Sequence, residues 1–554
     1  MKKFFRNGLL MLAAGALAVS CADYNVTDDF RAQPDPSFVE PYKDLGPVKS
    51  YIDRDKFPNM SLGAMLKVSD FNKQELAHAA AITNFDNVAF GTTLMSGTIV
   101  NAKGVMNFLD MSDLLDHVEE IDAEVFGSPL FANANQADDW LSTLTAPIEI
   151  PVDYVEGKTV DFNEMSVGNY TGTVDKGTAK IVKYDGQNVL QINNTTNVNI
   201  IEDFEVDPKA KYTITFWAKG ARADRDVNFS VNFSGNPVEG SGTNGTWVAK
   251  GDKWTKIVVE AQSAPDATEG FFRIENGRGG ILYIQKAQVG YYPDNHRAQT
   301  EEELNDTIDY AIYTWCDGLM KINRGRIHSF DIIDEAIDAQ TTLDNGMYDL
   351  KHSTEKIFWQ DVLGSENYVP VVSKVASEAY ERYDGDPSLL RFFISESGLD
   401  DPKKIESLEY WMNIWDAKGA KIDGINAKLN LVYSEDAATQ ADNVAKLNTL
   451  LDNLAATGKL VRLSNFDIKY QSADGTNVTA DKISAEQRQQ LADYYGYVIK
   501  SYMSKIPHEK QAGICKGNMV DTSDPVGLWS IDKNSRDWVR NATYKAFCDA
   551  LSGE

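Results

Sequence analysis

Ile327-His-Ser-Phe-Asp-Ile-Ile-Asp-Glu-Ala336 is an apolar β run that ends on two carboxylates, Asp334 and Glu335. From about residue 300 to the end, short apolar runs of this kind alternate with longer stretches of helical spacing, and Leu460-Val-Arg-Leu-Ser464 opens another. The same alternation fills residues 50–145, where Phe71-Asn-Lys-Gln-Glu-Leu-Ala-His-Ala-Ala-Ala81 reads as helix and Ala123-Glu-Val-Phe-Gly-Ser-Pro-Leu-Phe131 as strand and loop. Strands alternating with helices imply a parallel sheet with helices outside it. The summed length of the two flanks fits a (β/α)8 TIM barrel.

Between the flanks the texture changes. Lys211-Tyr-Thr-Ile-Thr-Phe-Trp-Ala218, Asp226-Val-Asn-Phe-Ser-Val-Asn-Phe233 and Trp254-Thr-Lys-Ile-Val-Val-Glu260 alternate with period two and are separated by Gly, Asn and Asp turns. Short strands at that spacing predict a β-sandwich. The expected fold is therefore α/β: a (β/α)8 barrel built from residues 50–145 and 294–554, interrupted by an all-β jelly-roll sandwich at 146–293. Such an insertion belongs in a loop, where no barrel hydrogen bond is broken.

At 554 residues the chain exceeds what one hydrophobic core supports, in keeping with two domains. Asp plus Glu number 82 against 54 Lys plus Arg, a net charge of −28 that repels phosphate backbones and excludes nucleic acid as a partner. A neutral polysaccharide suits such a surface, and 10 Trp and 24 Tyr offer rings on which sugars stack.

Residues 1–20 read as an export signal. Lys2, Lys3 and Arg6 precede the short apolar stretch Gly8–Leu17. Leu17-Ala-Val-Ser-Cys21 resembles the lipobox of bacterial lipoproteins, which implies lipidation at Cys21, and the alternative is a cut signal with Cys21 left as a plain thiol. Asp23, Asp28 and Asp29 are similar to the acidic signal that sends some lipoproteins to the cell surface, so the expected location is the outer membrane, held by lipid alone. Residues 21–49 read as a tether. Cys316, Cys515 and Cys548 form neither a disulfide scaffold nor a zinc site; one bridge is open, and buried thiols are the default.

The run ending at Glu335 resembles the fourth-strand W-D-V-V-N-E-A of glycoside hydrolase family 10, the endo-1,4-β-xylanases. Phe358-Trp-Gln-Asp-Val-Leu-Gly364, Lys421-Ile-Asp-Gly-Ile425, Leu460-Val-Arg-Leu-Ser-Asn-Phe-Asp-Ile468, Asn84-Phe-Asp-Asn-Val88 and Asp138-Asp-Trp-Leu141 resemble further family motifs in the right order. The sandwich resembles carbohydrate-binding modules of families 4, 9 and 22. That likeness leaves a structural calcium open but unassigned, and implies no other cofactor.

Family 10 enzymes are retaining, and a retaining glycosidase needs two carboxyl groups, one as acid/base and one as nucleophile. The resemblance places Glu335 at the acid/base, with a surface carboxylate as the alternative. The nucleophile position falls on Asn465, and a neutral amide forms no glycosyl ester. Sugar-holding positions differ as well. The family's E-N-x-M-K is Gly91-Thr-Thr-Leu-Met95, its W-H is Ala132-Asn133, the Asn before the acid/base is Asp334, its Q-x-H is Lys428-Leu-Asn430, and its eighth-strand Trp is Lys516. Asp467, two residues beyond Asn465, has a structural counterpart in the family. Among the aromatics, Trp217 reads as core, Trp247 after a Gly/Asn loop as the exposed sugar platform, and Trp529 as either groove lining or packing.

The resulting expectation is a surface lipoprotein that binds plant cell-wall β-glycan, foremost xylan, through a degenerate barrel mouth plus the sandwich, beside other components of a glycan-uptake system. The competing expectation is an active endo-1,4-β-xylanase with Glu335 as acid/base and a second carboxylate yet to be recognised.

Overall fold

The computed structural model describes residues 42–121, 123–532 and 536–553, so the export signal, Cys21 and most of the tether lie outside the described residues. Eight strands form a closed ring: β1 (Leu62–Met65), β2 (Asn87–Ala89), β3 (Glu124–Gly127), β4 (Ser329–Asp334), β5 (Arg391–Ser397), β6 (Gly424–Lys428), β7 (Leu460–Ser464) and β8 (Gln511–Lys516). Neighbours pair in parallel all the way round, and β8 returns to β1 with Ile514 opposite Leu62. The fold is a (β/α)8 TIM barrel with helices between successive strands. Four of the six residues of β4 and four of the five of β6 are buried, because barrel strands are covered on both faces. Continuous apolar runs, rather than alternating ones, are the sequence form of that environment.

The helices are placed by ordinary capping chemistry. Asp401 accepts the Lys403 N–H at 2.9 Å and Pro402 fills the first turn, which starts helix Pro402–Ala417 directly after β5. That start sets Lys404 in the first turn, next to the carboxyl end of the strand. Trp315 of helix Glu301–Asn323 and Trp415 of helix Pro402–Ala417 are wholly buried between helices and barrel.

Residues Ala146–Thr300 form a compact unit of their own. It runs past residue 293 because His296–Arg297 pairs antiparallel with Ile148–Glu149. Two antiparallel sheets enclose a separate core containing Phe216, Phe229, Phe272 and Ile284. Strand Lys211–Gly220 buries Tyr212, Ile214, Phe216 and Ala218. Its alternate residues face outward, so Trp217 sits on the outer face with the Lys256 ammonium 5.7 Å above its ring, and the reading of Trp217 as core is corrected.

Cys316, Cys515 and Cys548 are buried free thiols. Among the described residues no helix is long and apolar enough to cross a membrane.

Candidate functional site

The carboxyl ends of the barrel strands bring a set of charged side chains together. Lys428 ends β6, and its ammonium pairs with Asp334 at the end of β4 while standing 3.4 Å from Oε1 of Glu335, the next residue. Glu335 holds a left-handed backbone (φ 52°), uncommon for a residue with a side chain of that size. Its N–H donates to the Ser395 carbonyl of β5 at 2.9 Å, which fixes the turn. The Ser397 hydroxyl donates to Glu335 Oε2 at 3.0 Å.

Behind this pair lies Glu396 of β5, fully buried and hydrogen-bonded to Glu335. Lys404 stands 2.7 Å from Glu396 Oε1, and the Ile337 N–H donates to Oε2 at 3.2 Å. Burial pushes the Glu396 carboxyl up to about 8; Lys404 opposes that rise and the neighbouring Glu335 adds to it. At neutral pH Glu396 therefore keeps its proton and donates a hydrogen bond to the ionised Glu335. For Glu335, burial would raise the pKa, but the bond from Glu396, the Lys428 ammonium, the Ser397 hydroxyl and Lys404 outweigh it and hold the carboxyl below its ordinary range. For Lys428, burial is outweighed in turn by Asp334 and Glu335, which keep it protonated.

Asn465 follows β7, exposed and also left-handed (φ 49°), a conformation Asn tolerates well. Its carbonyl accepts the Asp467 N–H at 2.7 Å. Asn465, Ser464, Asp334 and Lys428 line one side of a cavity of about 180 Å³, and Met65, Phe90, Met95 and Phe126 line the other. Pockets that hold drug-sized ligands usually span roughly 300–1,000 Å³. The cavity at the mouth is smaller than that, and Lys428 is among its lining residues.

The other expected site residues are distributed differently. Lys516 is buried and its ammonium is ion-paired with Asp467, so it is not free to meet a sugar at the mouth as expected. Burial lowers its pKa against the pull of Asp467. Asp467 also accepts the Asn518 N–H at 3.1 Å. Asn430 is exposed and does not line the cavity. Asn133 follows Phe131–Ala132, which pairs with Ile333–Asp334; it is half-buried and also outside the cavity lining. Trp247 is half-buried against the sandwich core, its indole N–H donating to the Val238 carbonyl at 3.1 Å, so it is not the exposed platform expected. Trp529 is packing: it is buried, with ring centroids 5.2 Å from Tyr544 and 6.0 Å from Trp538.

Below the mouth is a second charged layer that the sequence reading missed. Asn426 Nδ2 donates to both Asp331 oxygens at 3.0 and 2.9 Å, and the Arg462 guanidinium lies 3.8 Å above the Phe126 ring. Burial pushes the Asp331 carboxyl up to about 7 against the pull of Arg462. A signal was present, since Asp331 and Arg462 are charges set inside apolar strand runs. Among the described residues no group of three or more His, Cys, Asp or Glu is placed to hold a metal ion.

Residues 290–526 match the model of glycosyl hydrolase family 10, a span that takes in β4 to β8. No curated protein matches the sequence. Among solved structures, xylanase B from Clostridium stercorarium F9 is similar with a TM-score of 0.50 at 11% identity, covering 91% of this chain and 100% of that one. A family 10 endoxylanase retrieved from a sugarcane soil metagenome gives 0.51 at 9%, covering 92% and 100%. At such identities the likeness is one of fold. Over residues 290–526 the chain is thus similar to a glycosyl hydrolase family 10 domain, and within that segment Lys428 bridges the two carboxylates at the end of β4.

Proposed function

We propose that this protein is a surface lipoprotein, anchored through Cys21, that binds plant cell-wall β-glycan, foremost xylan, without cleaving it efficiently. The carrying observation is the contact of Lys428 with both Asp334 and Glu335, with Asn465 on the same rim. A general acid must reach the substrate protonated, and catalytic carboxyls are tuned upward for that purpose. Glu335 is held low instead, and the amide of Asn465 offers no anion to an oxocarbenium-like transition state. The barrel frame survives such changes because its strands are packed independently of the mouth. Other components of a glycan-uptake system would be its neighbours on the membrane.

A second reading, an active endo-1,4-β-xylanase with Glu335 as acid/base, draws on the hydrogen bond between Glu335 and Glu396, which supplies a second carboxyl. Against it, Glu396 is fully buried and contacts Lys404, so it does not face the cavity. Incubating the purified chain with soluble xylan separates the readings. No new reducing ends above a Glu335→Gln control are expected, together with retarded migration in a xylan gel. Turnover at ordinary glycosidase rates, abolished by Glu335→Gln, overturns the proposal.

A further inference from the structure

The sandwich has a groove that none of the expected site residues enters. In the antiparallel sheet, Tyr292 stands directly opposite Lys211, and Gln262 follows Ala261, the partner of Tyr212. Residues paired in this way share a face, so Tyr292, Lys211 and Gln262 form one row across three strands, about 10 Å long at the usual strand spacing. The Tyr292 ring is 47% exposed, and Tyr154, 41% exposed, meets it edge-to-face at 5.1 Å. Beside the row is a cavity of about 400 Å³, more than twice the volume at the barrel mouth and within the range usual for ligand sites.

The lining indicates the class of ligand. The Lys211 ammonium and the Gln262 side-chain amide have no hydrogen-bond partner among the described residues. Lys209 stands 3.9 Å from Asp294, and Asn295, also in the lining, donates to Glu149 at 2.6 Å. A groove with an exposed ring and unpartnered hydrogen-bond donors suits a molecule with an apolar face and many hydroxyls. That describes a sugar ring, which stacks its C–H face on an aromatic and directs its hydroxyls sideways.

We propose that this row, and not Trp247, is the saccharide site of the sandwich, with Tyr292 as the stacking platform and Lys211 and Gln262 as hydrogen-bond donors to hydroxyls of a neutral glycan. The inference rests on the glycan-binding reading above and deepens it. The test uses the full chain, soluble xylan in gel migration and xylo-oligosaccharide in calorimetry. Tyr292→Ala and the double variant Lys211→Ala/Gln262→Ala should each weaken binding on the order of tenfold, as loss of a central contact does. Trp247→Ala should leave at least half of the affinity. All of these positions except Trp247 are exposed, so unchanged unfolding curves are expected as the control for folding. Binding that survives both Tyr292→Ala and the double variant overturns this assignment and spares the broader reading. A full chain that binds no xylan overturns both.

Discussion

Replacing Lys428 with Met removes the cation shared by Asp334 and Glu335 while keeping most of the side-chain volume. At 3.4 Å and an effective dielectric near 20, the attraction between Lys428 and Glu335 alone is about 5 kcal/mol. Desolvating the ammonium offsets part of this, and the three side chains remain 14–26% exposed, so the net loss should be about 2–4 kcal/mol at pH 7. The loss should depend on pH in a defined direction. Glu335 is held below its ordinary value of 4.5, so its contribution is present above that value and disappears as pH falls through the lower folded-state pKa. In the variant Glu335 loses the Lys428 ammonium that holds its pKa down, so it takes up a proton at higher pH than in the parent and the deficit should shrink as pH drops from 7 toward about 4. Urea unfolding followed by tryptophan fluorescence at both pH values measures it. Adding Asp334→Asn to the variant should recover a good part of the loss at pH 7, because one of the two stranded charges is gone. Equal urea midpoints for parent and Lys428→Met, or a deficit that does not change with pH, would refute the reasoning.

Glu396, raised to about 8 in the fold, contributes stability that is complete below its ordinary value of 4.5 and is lost as pH rises through about 8. Glu396→Gln should therefore flatten the decline in unfolding free energy between pH 5 and pH 9, and a parallel decline in both proteins would contradict the assignment. Asn465→Glu restores a carboxylate at the rim but leaves Glu335 ionised beside Lys428, so reducing-end assays on xylan should stay at background; measurable turnover by this single variant would show that Lys428 is no obstacle. Trp529→Ala should destabilise the barrel by about 3–5 kcal/mol in urea unfolding, since the ring is buried against Tyr544 and Trp538. A change below 1 kcal/mol would return Trp529 to the groove.

The frame was legible because both of its environments leave a period in the sequence. Strands β4 and β7 are covered on both faces and read as continuous apolar runs, whereas strand Lys211–Gly220 has one covered face and alternates. Alternation does not by itself say which face is covered. Phe216 and Trp217 are both aromatic and adjacent, and only the pairing of the sheets turns Phe216 inward and Trp217 out. Motif spacing likewise put Lys428 at the end of a barrel strand, where the structure has it, but could not say where its ammonium points. Glu396 was invisible for another reason: in Ile394-Ser-Glu-Ser397 it resembles the polar end of a strand, and the Lys404 that compensates it comes eight residues later on a helix whose start depends on the Asp401 cap. Tyr292 carries no mark in the sequence, because its exposure follows from a register that sets it opposite Lys211.

The charges at the mouth constrain one another more than any single substitution suggests. Lys428 favours an ionised Glu335, and Glu396, by donating a hydrogen bond to the same carboxylate, favours it as well; Lys404 makes the burial of Glu396 tolerable and adds a distant pull in the same direction. A carboxyl that acts as a general acid has to be protonated when the glycosidic oxygen arrives, and one that holds a lysine has to be ionised. Glu335 is committed to the second state from two sides at once. Returning it to the first would require removing Lys428 and supplying an anion at Asn465 in the same molecule. Each change alone leaves either a neutral rim or an ionised carboxylate in place of the acid, so neither supplies a pair of carboxyls with opposite protonation states across a scissile bond.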